Sequence, residues 1–407
     1  MSVSIEDIRV AATTIAGEVV RTPIVRSGPL SSEHAAEVFI KLETMQHTGS
    51  FKDRGALVKL KSLEPDEMSR GVITVSAGNH AQGVAYHAQR LGVPATIVMP
   101  EGTPFNKIRR TEAFGARVVL EGDDVNEAEP FAHEMADRDR LTFVHPYDDE
   151  RIIAGQGTVG LEMLEDVPDL DTIIVPIGGG GIISGIAIAA TAMKPDIEII
   201  GVETELYPTM NNAINGLEQT VGGDTIAEGI AVKRPGTITR EIVERLVHDL
   251  VVVSESAIES AVQSMLTQAK VLVEGAGATP LAALRAHASR FEGKRVGLVA
   301  CGGNIDPRLL ASVLMRGMSR AGHLTRLRIS ITDQAGTLAK VAQHIGDSGG
   351  NIVEIYHQRM FYDVLVKHTE LDAVVETRDA THAEEIMQRL VDAGFPTRRL
   401  HEDKSAG

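Results

Sequence analysis

Four short stretches carry residues that ordinary folding does not ask for. In HTGSFKDRGA (residues 47–56), Lys52 follows Gly49, Ser50 and Phe51 and precedes Asp53, Arg54 and Gly55. A lysine on a solvent-facing helix needs no such setting. Gly49 and Ser50 let a turn bring the amine close to a reaction partner, and Phe51 offers an apolar face beside it. In PIGGGG, residues Gly178, Gly179, Gly180 and Gly181 lie between a strand-like and a helix-like run. Bare backbone N–H groups at such a turn, with a helix N-terminus behind them, form an anion cradle suited to a phosphate. No Gly-Lys-Ser/Thr follows, so this is not a Walker loop, and the spacing does not match a dinucleotide fingerprint. Four glycines cost chain entropy that a tight turn alone does not require. SAGNH (Ser76, Ala77, Gly78, Asn79, His80) places small residues, a hydroxyl, an amide and an imidazole at another strand end. It can hold a carboxylate or serve as a structural turn, and His80 alone reads as a helix-start residue rather than a base. CGGN begins with Cys301, the single cysteine. A lone cysteine is ordinarily a small buried apolar residue, but at a strand end its thiol can donate weakly to a ring nitrogen.

A reactive lysine, a phosphate cradle, a carboxylate turn and a weak donor for a ring nitrogen together match one cofactor. Pyridoxal 5'-phosphate has an aldehyde for a lysine Schiff base, a phosphate, a phenolic oxygen and a pyridine nitrogen. Competing chemistry is absent: there is no Gly-x-Ser-x-Gly elbow, no histidine pair or acidic run has metal-ligand spacing, and turn chemistry explains HPYDD (residues 145–149).

The elements that position these groups alternate between strand and helix. GVITV, ATIVMP and RVVLEG read as strands, and HAQGVAYHAQRLG and PFNKIRRTEAFG read as helices. In the first helix Ala81, Val84, Ala85 and Ala88 follow the i, i+3, i+4, i+7 pattern and Gly92 closes it. DTIIVPI, GGGGIISGIAIAA and IEIIGVE repeat strand, turn and helix, strand, and VGLVACGGN runs a strand into a glycine turn. This is an α/β pattern of mostly parallel sheets, whose ligands sit at the carboxyl ends of strands. Lys52 reads as upstream of the first strand–helix unit. After residue 321 the style changes: LTRLRISITDQAGTLAKVAQHIGDSGGNIVEIYHQRM and YDVLVKHTELDAVVETRDATHAEEIMQRLVDAGF fit a ferredoxin-like βαββαβ plan.

The chain has 407 residues, enough for two or three domains. A net charge of −16 disfavours nucleic acid and anionic lipid as partners, and 3% aromatic content with no tryptophan disfavours base stacking. One cysteine permits no intrachain disulfide, and with no leader-like run in MSVSIEDIRVAA a cytoplasmic location is expected. Thr172–Met193 is uncharged and long enough to span a bilayer, but Pro176 and the glycine run divide it into strand, loop and helix.

TGSFKDRGA, SAGNHAQGVAYHA, AGQGT, PIGGGG, GVE and CGGN occur in the order found in threonine ammonia-lyase (threonine dehydratase). The chain therefore resembles that family of tryptophan-synthase-β-like, fold type II pyridoxal-phosphate enzymes over almost its whole length. DQAGTLAKV and GGNIVEIYHQR resemble an ACT regulatory domain. The resemblance implies a two-lobed catalytic domain over residues 1–321, with a smaller lobe at roughly 42–147 inserted in the larger, and an ACT-like domain over 322–407. It implies deamination of L-threonine, and of L-serine, to 2-oxobutanoate or pyruvate and ammonia. Lys52 would form the Schiff base and take the α-proton, Phe51 would pack on the cofactor, and Asn79 would bond its phenolic oxygen. Gly178, Gly179, Gly180 and Gly181 would hold the phosphate, and Cys301 would face the pyridine nitrogen. Ser76, Ala77, Gly78 and His80 would line the substrate carboxylate. An amino-acid effector at the ACT-like domain, isoleucine biosynthesis and a homodimer or homotetramer follow as expectations.

Alternatives within the fold are threonine synthase, which SFKDRG also resembles, and serine racemase, whose relatives carry a serine where this chain has Ala77. Glu203 fits a cation site of the racemase branch, but Tyr207 and Thr209 do not complete a divalent set, so a monovalent cation, a divalent cation or none stays open. An amino-acid-binding sensor is the non-enzyme alternative, and retention of Lys52 with the three turns argues against it.

Overall fold

A computed structural model describes residues 3–358 and 368–400. It contains two compact units, Met1–Ile305 and Asp306–Gly407.

The first unit is built on two sheets. The larger has six strands in the order Ile24–Arg26, Glu37–Leu42, Arg295–Ala300, Thr172–Pro176, Glu198–Thr204, Asp249–Val253. Only the first of these runs antiparallel to its neighbour. The smaller sheet is parallel throughout, in the order Arg117–Leu120, Ala95–Met99, Val72–Val75, Thr142–Phe143. Its strands all fall in the chain between Glu37–Leu42 and Thr172–Pro176 of the larger sheet. Strands covered on both faces read as unbroken apolar runs rather than alternating ones. Every residue of Thr172–Pro176 is buried, and the following helix, Gly181–Met193, is apolar all round and buried through Ala190. That burial explains the membrane-like composition of the stretch. Among the described residues no helix is long and apolar enough to cross a membrane.

One element differs from the sequence reading. EVFIKL forms a strand, Glu37–Leu42, parallel to Arg295–Ala300. Lys52 is therefore not upstream of the first strand–helix unit. It is the first residue of the helix that follows this strand, Lys52–Lys61. The strand carries a lysine at its penultimate position: Lys41 is fully buried, and its Nζ donates to Glu162 (2.5 Å) and to the Thr22 carbonyl (2.6 Å).

Three helices of this unit meet through glycines. A Cβ on Gly155, in the helix Glu150–Asp166, would lie 2.6 Å from the Cα of Gly55 in Lys52–Lys61. A Cβ on Gly157 would lie 2.9 Å from the carbonyl oxygen of Gly185 in Gly181–Met193. AGQGT is thus a packing motif: the Lys52 helix and the helix after the glycine run both touch one central helix by main chain.

The second unit has a four-stranded antiparallel sheet in the order Asn351–Gln358, His368–Glu376, Leu324–Thr332, Thr397–Arg399. The helices Thr337–Asp347 and Ala380–Asp392 complete the ferredoxin-like βαββαβ chain order. Leu327, Ile329 and Ile331 alternate along the central strand into a core with Val341, Ile345, Leu371 and Ile386. The two compact units divide at Ile305/Asp306. The helix Pro307–Arg320, capped by Asp306 with proline at its first position, packs on Leu324–Thr332 and goes with the second unit. The beginning of YDVLVKHTEL, up to Lys367, and Arg359 of the ACT-like motif lie outside the described residues.

Candidate active site

Each candidate group sits where a parallel strand ends and a helix or turn begins. Lys52 follows Glu37–Leu42 and a short 3-10 turn, SAGNH follows Val72–Val75, the glycine run follows Thr172–Pro176, and Cys301 follows Arg295–Ala300. The two sheets therefore aim their carboxyl ends at one locus.

Backbone bonds lock the Lys52 turn to the Cys301 turn. Phe51 N donates to the Cys301 carbonyl (3.0 Å), Gly303 N donates to the Gly49 carbonyl (2.9 Å), and Ser50 bridges Gly302. Gly49 has φ +76°, and a Cβ there would press on Asn304 Oδ1 at 2.9 Å, so only glycine fits without strain. The SAGNH helix, Asn79–Leu91, presses on the same turn: a Cβ on Gly83 would lie 3.2 Å from the Lys52 carbonyl carbon.

The Lys52 amine lies 5.1 Å from the Phe51 ring centroid and donates to the Pro146 carbonyl at 2.6 Å. Removal from water pushes it down to about 8; the acidic groups Cys301 and Glu274 act the other way. Burial also pushes the Cys301 thiol well above its ordinary value, so it is neutral at pH 7. His80 is buried with Nε2 at 3.1 Å from the Val144 carbonyl. Burial, reinforced by the Lys52 charge, keeps it neutral. In the turn before it, Ser76 Oγ accepts from Gly78 N at 3.1 Å.

Each glycine of the run packs closely in the direction a side chain would take. A Cβ on Gly179 would overlap the Tyr147 ring, and one on Gly181 would lie 3.1 Å from Tyr147 Cα. On Gly180, at φ +96°, it would reach Thr239 Cβ and Met210 Cε at 2.8 Å. Pro146 and Tyr147 thus join the amine to the cradle. HPYDD, read from sequence as turn chemistry, belongs to the site. His145 Nδ1 accepts from Asp148 N (2.8 Å), Asp148 caps the helix Thr237–Leu246, and Asp149 caps Glu150–Asp166. Gly180→Ala is expected to destabilise the protein by about 1–3 kcal/mol, because a side chain at this φ is strained. The midpoint of urea unfolding, compared between the two proteins, measures it.

Sequence reading missed Glu274, and it placed Asn304 in the CGGN turn without giving it a role. Asn79 Nδ2 donates to Glu274 Oε1 at 2.7 Å, and Asn304 Nδ2 donates to Asn79 Oδ1 at 2.8 Å and to the Thr48 carbonyl at 2.7 Å. The available sign was a single carboxylate in the apolar run VLVEGAGATPLAAL.

Glu203 borders the glycine run through the helix whose Met210 side chain packs at Gly180. Its two oxygens accept from the backbone N–H groups of Met210 (2.7 Å) and Asn211 (2.8 Å), so it caps the helix Thr209–Asn215. Burial pushes it up to about 7. Among the described residues no cluster of three or more His, Cys, Asp or Glu could hold a metal ion.

Behind the amine lies a buried ionic network. Arg54 bonds Glu43 through Nε and Nη2 (2.8 Å each) and Glu162 through Nη1 (2.6 Å) and Nη2 (2.8 Å). Burial opposes its charge, but the two carboxylates hold Arg54 protonated. Asp53 accepts from Thr48 N (2.9 Å) and Thr48 Oγ1 (2.6 Å), and burial pushes it up to about 6.

This geometry fits pyridoxal phosphate. An amine of lowered pKa stands beside an aromatic ring, a glycine cradle opens a helix, one Asn79 N–H has no use within the network, and a neutral thiol ends the neighbouring strand. A fold of this kind with such a site defines a pyridoxal-phosphate enzyme. The chain belongs to the pyridoxal-phosphate dependent enzyme family, whose model matches residues 15–302. It is 40% identical over 398 residues to an L-threonine ammonia-lyase of Thermotoga maritima, covering 97% of this chain and 99% of that one. Among solved structures, maize serine racemase superposes with TM-score 0.73 at 34% identity over 79% of this chain and 99% of its own. The processed form of threonine deaminase isoform 2 from Solanum lycopersicum gives 0.72 at 33% identity, over 76% and 86%.

Proposed function

We propose that this chain is an L-threonine ammonia-lyase, converting L-threonine to 2-oxobutanoate and ammonia and accepting L-serine to give pyruvate. The observation that carries the reading is Lys52: its buried amine, lowered to about 8, donates to the Pro146 carbonyl, next to the Tyr147 that packs on the glycine run. When bound, pyridoxal phosphate supplies an aldehyde for the substrate amine and a conjugated ring that spreads the electrons left by the α-proton.

The chain's own residues do the rest. Lys52 carries the amine for the aldehyde and, once freed, removes the α-proton; a base near ambient pH transfers protons with little wasted driving force. Gly178 to Gly181 hold the phosphate with backbone N–H groups and the start of Gly181–Met193. Phe51 packs against the cofactor. Asn79 gives its remaining N–H to the phenolic oxygen, and the Cys301 thiol, being neutral, faces the ring nitrogen without stabilising a proton there. Ser76, Ala77, Gly78 and His80 line the substrate carboxylate.

The maize serine racemase match favours a second reading, racemisation of serine. Against it, Ala77 has no protic group to serve the opposite face of the substrate. The ferredoxin-like unit is read as an ACT-like sensor of an amino-acid effector, with isoleucine the biosynthetic candidate. Its open edge strands, Asn351–Gln358 and Thr397–Arg399, fit assembly of a homodimer or homotetramer, and the free buried Cys301 fits a cytoplasmic location.

The test is one assay. Purified protein with pyridoxal phosphate and L-threonine, with and without isoleucine, is followed by 2-oxobutanoate release. L-serine is run beside it, with separate detection of pyruvate and D-serine. Release of 2-oxobutanoate, altered by isoleucine, is expected; D-serine without 2-oxoacid overturns the lyase reading.

A further inference from the structure

The orientation of Asn79 is fixed by a chain of hydrogen bonds whose polarity starts at a backbone carbonyl. Asn304 Nδ2 has two hydrogens, and both are used, on the Thr48 carbonyl and on Asn79 Oδ1. Asn79 Oδ1 must therefore accept, so its Nδ2 donates. One of its two hydrogens goes to Glu274 Oε1, and the other remains. Turning the Asn79 amide over would set two donors together at Asn304 and two acceptors together at Glu274. The carboxylate is itself held: Glu274 N donates to the Gly302 carbonyl at 3.0 Å. Gly302 leaves the space it fills, since a Cβ there would lie 2.7 Å from Glu274 Oε1 and 3.1 Å from Asn79 Nδ2. Gly229 does the same from the other side, at 3.0 Å.

We propose that Glu274 is a positioning residue that fixes Asn79 as a hydrogen-bond donor to the bound cofactor and, through that amide, makes the cofactor's phenolic oxygen respond to whether the carboxylate is ionised. This deepens the lyase reading and rests on it. The charged surroundings make the response fall in a useful range. Burial, helped by Glu228, pushes Glu274 up to about 7, against the Asn79 bond, Lys107 and the Asn304 backbone N–H, which favour the ionised form. Lys52 and Cys301 feel its charge in turn. Below the midpoint Glu274 is neutral; above it, its negative charge sits one amide from the ring oxygen and disfavours further negative charge there. His80 and Cys301 titrate outside this range. Glu203, near 7, and Asp53, near 6, titrate in the same range but bond the Met210 and Asn211 N–H groups and Thr48, not Asn79, so the Glu274→Gln variant separates them.

The test uses the full-length holoprotein and the variants Glu274→Gln and Glu274→Leu. Glutamine keeps an acceptor for Asn79 but loses the charge; leucine loses both. The visible absorbance of bound cofactor is recorded against pH, and retention of pyridoxal phosphate is measured by dialysis. The wild-type band is expected to shift with a midpoint near 7. That midpoint is expected to vanish in Glu274→Gln, whose cofactor affinity stays within about 2-fold of wild type. Glu274→Leu is expected to lose about 10-fold in affinity, the worth of a hydrogen bond left unmade. Thermal melts of the three proteins report on folding separately. A band in Glu274→Gln that titrates as in wild type overturns the proposal, as does equal affinity in the glutamine and leucine variants. Absence of any cofactor band in the wild type overturns the lyase reading and this proposal together.

Discussion

Lys52→Ala is expected to lower 2-oxobutanoate formation by about 10⁴-fold, the upper end of what a positioned acid–base group contributes. The loss should appear in kcat, because the variant keeps the glycine cradle and the Asn79 turn that bind cofactor and substrate. Steady-state kinetics at saturating cofactor check this. The pH dependence of cofactor uptake separates the structural cause from a generic lysine effect. An ordinary lysine releases its proton near 10.4, so at pH 7 only about one amine in 2,500 is free base. At about 8, roughly one in ten is free. Uptake of pyridoxal phosphate by cofactor-free protein should therefore rise with pH only as far as about 8 and then level off. A rate still climbing at pH 10 would mean that burial does not lower this amine.

Arg54→Ala is expected to destabilise the protein by about 3–5 kcal/mol, read from the midpoint of urea unfolding. Arg54 is fully buried and answers two carboxylates, Glu43 and Glu162, with Lys41 as the remaining cation among them. Its removal leaves buried negative charge facing a single ammonium. The geometry is generous, since four of its bonds to the carboxylates lie between 2.6 and 2.8 Å. What is lost is chiefly the cost of the abandoned carboxylates, not the net worth of the network, so a change below about 1 kcal/mol would mean that water enters the site. The substitution also bears on chemistry, because Arg54 lies in the first turn of the helix that Lys52 begins.

These two residues mark where sequence reading succeeds and where it stops. Lys52 was legible because its setting is local: glycine, serine and phenylalanine in three consecutive positions declare a turn with a purpose. The strand–turn–helix units around the other groups were legible for the same reason, since β-branched runs ending in glycine are short-range patterns. Arg54 beside it received no role, because its partners sit on other elements, Glu43 before the Lys52 turn and Glu162 108 residues further on. Asn79 stood out as an amide in a turn, but the carboxylate that orients it, Glu274, comes from the opposite end of the catalytic unit. Tyr147 and Pro146 were hidden behind a motif that turn propensity explained adequately. The helix Pro307–Arg320 reads equally well as the end of one unit or the beginning of the next; its packing on Leu324–Thr332 assigns it to the second.

The glycine contacts among Lys52–Lys61, Glu150–Asp166 and Gly181–Met193 bear on how this enzyme can vary. Where helices meet by side chains, spacing drifts as those side chains are exchanged. Here Gly55 meets Gly155, and Gly157 meets Gly185, so the separation between the amine and the anion cradle is gauged in main-chain thicknesses. The surrounding aliphatic core can be rewritten residue by residue while that gauge stays constant. A single methyl group at one of the four glycines would wedge the amine and the cradle apart.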